Sequence, residues 1–458
     1  MLIIVPRFNL WYTFPPLGAL YIAAVVKEKG GKVSLLDSNE YSEKDFYSRL
    51  DSEIMDHPEV GITANVSLAS SAHRIARYIR GKYPDRKIIW GGPYSTVEYE
   101  RLIPEYADIV VLGEGETQAA GIVEGRNLQD IPGIAWYDGD RIKVNERPPF
   151  IEDLDKLPFP AWELINPESY VSPGRKPSFS MITQRGCPFK CINCSTFMQG
   201  NTFRSRSPEN VADEIEMLVK KYNCREMHIF DDNFTLKPDR TKKICAEIIR
   251  RGLNKHVRFV LTSGIRADII DEEMFDLLKE AGVYFINVAV ESGDQEVIDK
   301  IGKGLDLKKV PVILNTLEKR GFRIGLFFMM GFPFESKESM KKTADFAASL
   351  PGHHAHFFIV TPFPGTKLYE MAKDVYKPLD KYEKVTLNFY DENIRYAAPE
   401  FTSGDLEDIH RYAYRKFYLK PGRLFGIAKA MLRDGGWYND IGFLIKNFYN
   451  IMLFGGHR

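Results

Sequence analysis

The stretch that decides the fold is SFSMITQRGCPFKCINC, residues 178–194, where an apolar strand runs into a turn and three closely spaced cysteines. Cys187, Cys191 and Cys194 form a CxxxCxxC pattern directly after Gly186. Three thiolates leave one iron of a [4Fe–4S] cube without a protein ligand, and that iron can bind a substrate chelate. A zinc site would want a fourth Cys or His nearby. The spacing therefore favours an iron–sulfur cluster over a zinc site or unrelated core thiols.

The strand before the cysteines is the first of six apolar strands that alternate with helical segments. They are SFSMITQRG, EMHIFDDN, RFVLTSGI, FINVAVES, GLFFMMGF and HFFIVTPF, beginning at residues 178, 226, 258, 285, 325 and 356. This alternation predicts a partial (β/α)6 barrel of the TIM type, with its active site at the carboxyl ends of the strands. The notable polar groups and turns fall at those ends, namely Cys187, Asp231, Asp232, Ser263, Arg266, Glu291, Gly331 and Pro362.

The first third of the chain predicts a different α/β unit. Its strands LIIVP, KVSLLD, EVGITAN, KIIWGG and DIVVLGEGE are apolar throughout and alternate with helical segments. That pattern is typical of a Rossmann-like, doubly wound parallel sheet, which binds ligands outside the carboxyl ends of its strands. Neither GxGxxG nor GxxxxGK[ST] occurs, so phosphate binding by those loops is unsupported.

These patterns divide the chain into four parts. We predict a ligand-binding domain at 1–135, a proline-rich linker at 136–175, the barrel at 176–372 and a mostly helical domain at 373–458. The last part is rich in Tyr, Phe and Trp. Its aromatic residues form either a helical cap over the barrel or a platform that docks a protein or lipid substrate.

The composition narrows the class of protein. Lys+Arg and Asp+Glu number 62 each, so charge gives no reason to expect a nucleic-acid partner. No twenty-residue apolar run predicts a membrane span, and the apolar start reads as a buried strand rather than a signal peptide. Five cysteines in 458 residues argue against a disulfide scaffold. We therefore expect a cytoplasmic enzyme that works under anaerobic or microaerobic conditions.

The segment CPFKCINC at the end of the first barrel strand resembles the radical S-adenosylmethionine superfamily. In that family the methionine amine and carboxylate chelate the open iron, and one electron cleaves the sulfonium to a 5′-deoxyadenosyl radical. The resemblance implies that Cys187, Cys191 and Cys194 ligate the cluster and that Phe189 lies in the cofactor site. One departure is Asn193, because the family usually has an aromatic residue there that stacks on adenine.

Other strand ends resemble the cofactor segments of the same family. Glu291, Ser292 and the following glycine are similar to the segment that meets the ribose and methionine parts. Gly331–Phe332–Pro333 is similar to the GxP segment where backbone approaches adenine. Ser263 and Arg266 offer a hydroxyl and a guanidinium for the cofactor carboxylate. Asp231 and Asp232 form a pair at the end of the second strand with three open roles: contact with the cofactor amine, acid/base chemistry, or capping of the next helix.

The N-terminal stretches PPLG, GITANVSLASS, WGGPYST and ADIVVLGEGE resemble the cobalamin-binding domain of one large radical subfamily. It includes cobalamin-dependent radical methylases and the anaerobic cyclase of bacteriochlorophyll synthesis, and the resemblance then covers nearly the whole chain. The DxHxxG loop, whose histidine ligates cobalt, is absent here, as is common in this subfamily. Glycines at strand ends let backbone approach a flat corrin closely. The implied cobalamin contacts are Pro15, Leu17, Gly18, Asn65, Ser67, Gly91, Gly92, Tyr94, Glu114, Gly115 and Thr117. The alternative is a degenerate domain that keeps the fold without the cofactor.

The resemblance implies a C-methyltransferase with three cofactors: a [4Fe–4S] cluster, S-adenosylmethionine and cobalamin. One S-adenosylmethionine supplies the methyl group by way of cobalamin, and a second yields the radical that activates an unactivated carbon. Both cofactors are expected where the two domains face each other. The alternatives are a radical oxidase or oxidative cyclase, a methylthiolating enzyme, and a non-catalytic cobalamin or cluster sensor.

The sequence leaves the substrate open among a protein side chain, a peptide, a lipid and a small molecule. The compact chain favours a peptidyl substrate, for which the glutamine of methyl-coenzyme M reductase is a candidate by resemblance. An electron donor such as ferredoxin or flavodoxin is the expected partner. His353, His354 and His356 are either a proton relay or a substrate anchor, or a partly exposed run leading into the sixth strand.

Overall fold

A computed structural model describes residues 1–7, 14–170, 174–372 and 400–434. The chain divides into two compact units. Among the described residues, the N-terminal unit holds 1–170 and 197–200, and the barrel unit holds 174–196, 201–372 and 400–434. Within the described residues no helix is both long and apolar enough to cross a membrane.

The N-terminal unit is built on a seven-stranded sheet with the order β2-β1-β3-β4-β5-β6-β7. The first five strands in this order are parallel, as the sequence predicts, and β6 and β7 are antiparallel. The strands are β1 (Leu2–Val5), β2 (Ser34–Asp37), β3 (Glu59–Thr63), β4 (Lys87–Gly91), β5 (Ile109–Val111), β6 (Ile134–Tyr137) and β7 (Ile142–Val144).

Helices cover both faces of this sheet, which confirms the doubly wound prediction. Successive side chains of a strand point to opposite faces, so Leu2 and Ile4 enter one core and Ile3 and Val5 the other. The first core is completed by α2, α3 and α4, and the second by α1 and α5. The helices are α1 (Leu17–Glu28), α2 (Glu43–Glu53), α3 (Ala69–Lys82), α4 (Pro93–Leu102) and α5 (Glu116–Val123).

The β6–β7 hairpin is an element that the sequence analysis does not predict. Its strands lie in a proline-rich stretch and span four and three residues. The signal was the Asp138–Gly139 pair, because Asp-Gly between short apolar runs favours a hairpin turn. Gly139 has φ 100°, and the Asp138 carboxylate accepts hydrogen bonds from the backbone N–H groups of Asp140 and Arg141 at 3.0 and 2.9 Å.

The barrel unit contains a six-stranded parallel sheet with the order β15-β14-β13-β12-β11-β8. It confirms the predicted partial (β/α)6 barrel, because the strands follow one another in sequence and a helix lies between each pair. A separate antiparallel pair, β9 and β10, closes the base of the cysteine loop. The strands are β8 (Ser178–Met181), β9 (Gln184–Arg185), β10 (Arg204–Ser205), β11 (Glu226–Ile229), β12 (Arg258–Arg266), β13 (Val283–Glu291), β14 (Arg323–Met330) and β15 (His354–Ile359).

The helices of the barrel unit begin and end at recognisable caps. At α6, the Ser207 hydroxyl accepts from Asn210 N–H and Pro208 takes the first position, and Asn223 ends the helix in the left-handed conformation. The helices are α6 (Pro208–Tyr222), α7 (Pro238–Arg250), α8 (Glu272–Glu280), α9 (Gln295–Ile301), α10 (Val310–Lys319), α11 (Lys337–Ser349), α12 (Lys367–Ala372), α13 (Ser403–Tyr418) and α14 (Pro421–Asp434).

Helix α13 covers the edge strand β15 through side chains that bond to its backbone. Tyr418 Oη receives the Ala355 N–H at 3.0 Å, and the Phe357 carbonyl lies 2.8 Å from His410 Nε2. An unpaired strand edge is a liability that proteins cover. The described part of the aromatic C-terminal segment therefore acts as a helical cap, and its residues beyond 434 lie outside the described structure.

Candidate functional site

The cysteine loop starts where β8 ends and is anchored at both sides of its base. Gly186, with φ 84°, turns the chain after β9. Cys187, Cys191 and Cys194 are free and half-buried, and Cys194 N–H donates to the Cys191 carbonyl at 3.2 Å. Burial raises the pKa of the Cys187 and Cys191 thiols. Bound iron would offset that cost, because a coordinating thiol is deprotonated outright.

The three thiols fit a cluster better than a single ion. Among the residues described, no three His, Cys, Asp or Glu side chains are arranged to hold one metal ion. In a [4Fe–4S] cube each thiolate binds a different iron, so its ligands need not converge on one point. The loop thus offers three accessible sulfurs on one short, anchored segment.

A buried contact between Asp231 and Thr183 anchors the start of this loop. The Asp231 carboxylate is wholly buried and accepts hydrogen bonds from the backbone N–H and the hydroxyl of Thr183. Arg240 donates to the Thr183 carbonyl at 2.7 Å and to the Arg206 carbonyl at 3.2 Å. Burial raises the pKa of Asp231, while Arg240 opposes that rise. These residues hold β8 and β10 together, so Asp231 has a structural role.

Asp232 differs from its neighbour in having an unused oxygen. One carboxylate oxygen, Oδ2, is buried without a hydrogen-bond partner, and the carboxylate accepts from Gly186 N–H. Burial, followed by the charge of Asp231, raises the pKa of Asp232 to about 6. A buried acceptor without a partner is costly, which fits a donor supplied by a bound cofactor, such as an amine.

Glu291 lies at the end of β13 in a strained conformation. Its φ of 75° is in the left-handed region, which non-glycine residues adopt at a cost of about 1–3 kcal/mol and often at functional sites. Its carboxylate accepts from Lys303 Nζ at 2.8 Å. Lys303 is 5% exposed and was missed by the sequence analysis, since it lies on a loop twelve residues downstream of its partner.

Ser292 and Gly293 support Glu291 from behind. The Ser292 hydroxyl is fully buried and lies 2.9 Å from the hydroxyl of Thr343 on α11. Gly293 N–H donates to the same Thr343 oxygen at 3.0 Å, and a Cβ at Gly293 would lie 2.8 Å from Thr343 Cα. Ser292 therefore fixes the turn through α11.

Arg266 and Ser263 lie at the end of β12. The Arg266 guanidinium forms a two-pronged ion pair with Asp268, with Nε 2.9 Å from Oδ1, and stacks 3.8 Å from the ring centroid of Phe189. Its charge is already paired, so it anchors the cysteine loop through Phe189. Ser263 is exposed, so its hydroxyl is accessible at the strand end.

The turn after β14 is held by a buried acid that the sequence analysis missed. Glu335 is fully buried and accepts from the N–H groups of Gly331 and Phe332 at 2.7 and 2.9 Å. Burial raises its pKa to about 7, and these two N–H groups oppose the rise. Nearby, Asn193 donates to Met329 Sδ at 3.1 Å, and its buried Oδ1 has no partner.

In the N-terminal unit, the strand order places a switch point between β1 and β3. The helices after these strands lie on opposite faces, which opens a crevice at their carboxyl ends. Gly18 and Asn65 are exposed at these ends, while Pro15 and Leu17 are buried and Ser67 is half-buried. Asn65 Oδ1 accepts from Leu68 N–H at 3.1 Å.

The glycine-rich strand ends of β4 and β5 leave room for a large ligand. A Cβ on Gly91 or Gly113 would meet no atom within 4 Å. Gly92, with φ 103°, packs so closely on Ala64 that a Cβ would lie 2.5 Å from the Ala64 carbonyl oxygen. Tyr94 is 4% exposed and its hydroxyl lies 3.0 Å from His73 Nε2, so its side chain belongs to the core.

The loop after β5 contains residues that contact the rest of the protein and one residue that is exposed. The Glu114 carboxylate accepts from Ile151 N–H at 2.9 Å, which ties the loop to the segment after β7. Gly115 caps α5 and packs against Ile22, since a Cβ there would lie 3.1 Å from Ile22 Cδ1. Thr117 is exposed. The predicted cobalamin residues thus lie at the carboxyl ends of four parallel strands, but Asn65, Tyr94 and Glu114 already have protein partners.

The histidine run is not positioned as a group at the active end of the barrel. His353 and His354 lie at the amino end of β15, where His353 Nδ1 accepts from Ile324 N–H at 3.1 Å and His354 Nε2 accepts from Arg323 Nε at 2.9 Å. Burial lowers the pKa of His353 to about 4, and that of His354 well below its usual value. His356 lies farther along β15, stacked beside Phe358 with centroids 5.8 Å apart.

Comparisons with known proteins match both the barrel region and the N-terminal region of the chain. Residues 181–347 match the model of the Radical SAM superfamily, and residues 5–123 match the model of the B12 binding domain. An uncharacterized methyltransferase of Pyrococcus horikoshii is 31% identical over 445 residues, covering 95% of this chain and 92% of the relative. The anaerobic magnesium-protoporphyrin IX monomethyl ester cyclase of Rubrivivax gelatinosus is 27% identical over 455 residues, covering 92% of this chain and 79% of the relative.

Solved structures support the fold. The radical S-adenosylmethionine methyltransferase TsrM from Kitasatospora setae, with tryptophan substrate and aza-SAM bound, matches with a TM-score of 0.73 at 19% identity, covering 92% of this chain and 89% of that chain. The same enzyme with cobalamin and a [4Fe–4S] cluster bound matches with a TM-score of 0.70 at 18% identity and the same coverage.

Proposed function

This chain belongs to the cobalamin-dependent radical S-adenosylmethionine methyltransferase family, and we propose that it transfers a methyl group to an unactivated carbon. Its cofactors are a [4Fe–4S] cluster, S-adenosylmethionine and cobalamin. When bound, the cluster and S-adenosylmethionine supply a radical that abstracts hydrogen, and cobalamin carries the methyl group.

The proposed reaction balances without a proton-transfer residue. One R–H, two S-adenosylmethionine and two electrons give R–CH3, S-adenosylhomocysteine, methionine and 5′-deoxyadenosine. The acceptor C–H bond breaks, its hydrogen goes to the deoxyadenosyl carbon, and a C–CH3 bond forms. The electrons require a low-potential one-electron donor, for which ferredoxin or flavodoxin is the expected class.

In this proposal the barrel residues divide into ligands and supports. Cys187, Cys191 and Cys194 hold the cluster. Asp232 offers its unused oxygen to the cofactor amine. Glu291 contacts the methionine or ribose part of S-adenosylmethionine. Ser292 and Gly293 hold Glu291 in its strained conformation by bonding to Thr343 on α11. The open glycine-rich ends of the N-terminal sheet bind cobalamin.

The observation that carries the choice of a carbon acceptor is the inner face of β14 and β15. Phe327, Met329 and Phe358 are half-buried on it together with His356, whereas the residues between them are fully buried. Gly264 packs closely against this face, because a Cβ there would lie 3.3 Å from the Phe327 ring. Apolar side chains near the active end suit a C–H substrate and exclude water from a radical.

We propose a protein side chain as the acceptor. In the described C-terminal segment, α13 covers the edge strand β15. A peptidyl substrate would bring its own binding surface to the barrel. The glutamine of methyl-coenzyme M reductase is the first acceptor to test.

The test uses reconstituted enzyme, a low-potential reductant and S-adenosylmethionine with a deuterated methyl group. The substrates are a peptide that carries this glutamine, and the same peptide with norvaline in its place as a matched control. Methylation predicts a trideuteromethyl group in the glutamine peptide, with S-adenosylhomocysteine and 5′-deoxyadenosine formed in equal amounts. If no peptide is labelled but another C–H substrate is, the acceptor class is wrong and the reaction stands.

A second candidate is radical oxidation or cyclisation without methyl transfer, which the cyclase relative favours. It requires 5′-deoxyadenosine to accumulate with product while S-adenosylhomocysteine does not. That result would refute methyl transfer but would remain consistent with radical chemistry.

A further inference from the structure

Lys303 is a buried cation on a loop that touches the cysteine loop. Its side chain is 6% exposed, and within the described structure its ammonium bonds to one acceptor, Glu291 Oε1 at 2.8 Å. The same stretch bonds to the cysteine loop, because Ile192 N–H donates to the Ile301 carbonyl at 3.0 Å. A Cβ on Gly302 would lie 3.7 Å from the Lys190 carbonyl oxygen. The backbone on both sides of Cys191 therefore packs against the backbone segment that leads to Lys303.

Two cations lie beside the cysteine loop, and they differ in their partners. The Arg266 guanidinium pairs with Asp268 and stacks on Phe189. The Lys303 ammonium pairs with Glu291 and follows the segment that bonds to Ile192, next to Cys191.

A cluster held by three thiolates gains one negative charge when it is reduced. A charge buried nearby is only weakly screened and so shifts the balance between the two redox states. We propose that Lys303 is the counter-cation of the cluster, a positioning residue that stabilises its reduced form, while Glu291 limits that stabilisation. The inference rests on cluster ligation by the three cysteines, and it does not depend on methyl transfer.

The test is a redox titration of the reconstituted cluster in the full chain without S-adenosylmethionine, followed by electron paramagnetic resonance of the reduced cluster. Leaving out S-adenosylmethionine separates this effect from cofactor binding by Glu291. Lys303→Met leaves Glu291 unpaired and should lower the ratio of reduced to oxidised cluster at a fixed potential at least tenfold. For one electron, that is a shift of about 59 mV.

Two further variants should change the ratio of reduced to oxidised cluster in defined directions, which makes the test specific. Glu291→Gln leaves Lys303 unpaired and should raise the same ratio, since only the negative charge is removed. The double variant Glu291→Gln/Lys303→Met removes both charges and should return the ratio to near that of the wild type. A purely structural role predicts that the double variant is at least as disturbed as either single variant.

Lys300→Met is the matched control, because Lys300 lies three residues earlier, is exposed, and packs over the Phe334 ring. It should leave the titration unchanged, and Lys303→Arg should restore a ratio close to that of the wild type. Equal ratios in wild type, Lys303→Met and Glu291→Gln would overturn the counter-cation role. If the Lys303→Met variant holds no cluster, the Glu291→Gln variant decides the question. A ratio of reduced to oxidised cluster that does not rise in that variant would also overturn the counter-cation role. Absence of a cluster from the wild type would instead refute the cysteine ligation.

Discussion

Asp231 binds the backbone N–H and the hydroxyl of Thr183, four residues before the first cysteine of the loop. This contact joins the ends of β8 and β11 beneath the cluster site. It explains why two adjacent acids, Asp231 and Asp232, have different roles. Asp231 is fully satisfied by protein, while Asp232 keeps a buried oxygen without a partner.

The first prediction concerns the contact between Asp231 and Thr183. Asp231→Ala leaves the Thr183 N–H without its acceptor and removes the negative charge that faces Arg240. Removal of one partner from a buried charged network costs about 3–5 kcal/mol. We expect a lower unfolding midpoint in urea and reduced iron retention. Asp239→Ala is the control, since the Asp239 side chain is 92% exposed. Equal midpoints and iron contents for the two variants would contradict the structural role of Asp231.

The second prediction concerns Gly293. A Cβ there would lie 2.6 Å from Phe346 Cβ and 2.8 Å from Thr343 Cα, so β13 or α11 must shift. Gly293→Ala should destabilise the barrel unit by about 1–3 kcal/mol and weaken S-adenosylmethionine binding through Glu291. Gly426→Ala on α14 meets no atom within 4 Å and should be neutral or slightly stabilising. The prediction fails if Gly293→Ala binds the cofactor as the wild type does.

The third prediction is a pH dependence from Glu335. Folding raises its pKa from 4.5 to about 7, because burial disfavours the carboxylate. The folded state therefore binds the proton more tightly than the unfolded state. The resulting stabilisation is fully present below pH 4.5 and is lost as the pH rises through about 7, on the order of 3 kcal/mol in all.

Glu335→Gln removes this titration and keeps an oxygen for the Gly331 and Phe332 N–H groups. The free energy of unfolding of the wild type, relative to the variant, should fall between pH 4.5 and 8. Urea unfolding at several pH values measures that difference. A difference that stays constant with pH would show that Glu335 is not the titrating group.

The fourth prediction compares two tyrosines of α13. Tyr418→Phe removes hydrogen bonds to the N–H and carbonyl of Ala355, at 3.0 and 3.2 Å, and should cost about 1–3 kcal/mol. Tyr412→Phe removes an exposed contact to Asp345 and should cost much less. Hydrogen exchange at the Ala355 amide should accelerate in Tyr418→Phe alone. Equal exchange in both variants would contradict edge protection by α13.

Much of the fold was predictable because the strands are apolar and the helices have clear caps. The cysteine loop was predictable because its spacing is local. Lys303 and Glu335 were missed because their roles depend on partners that the fold brings close. The pairing of Arg266 with Asp268 and its stacking on Phe189 could not be predicted, because these contacts appear only in three dimensions. Tyr94 was placed in a ligand loop, but its side chain packs inward against His73.

The most direct test of the account is the iron and cobalt content of the chain after anaerobic reconstitution with iron, sulfide and hydroxocobalamin. We predict about four irons and about one cobalt per chain. A variant with Cys187, Cys191 and Cys194 changed to Ala should lose the iron and keep the cobalt. Iron without tightly held cobalt in the wild type would contradict the binding of both cofactors, on which methyl transfer depends.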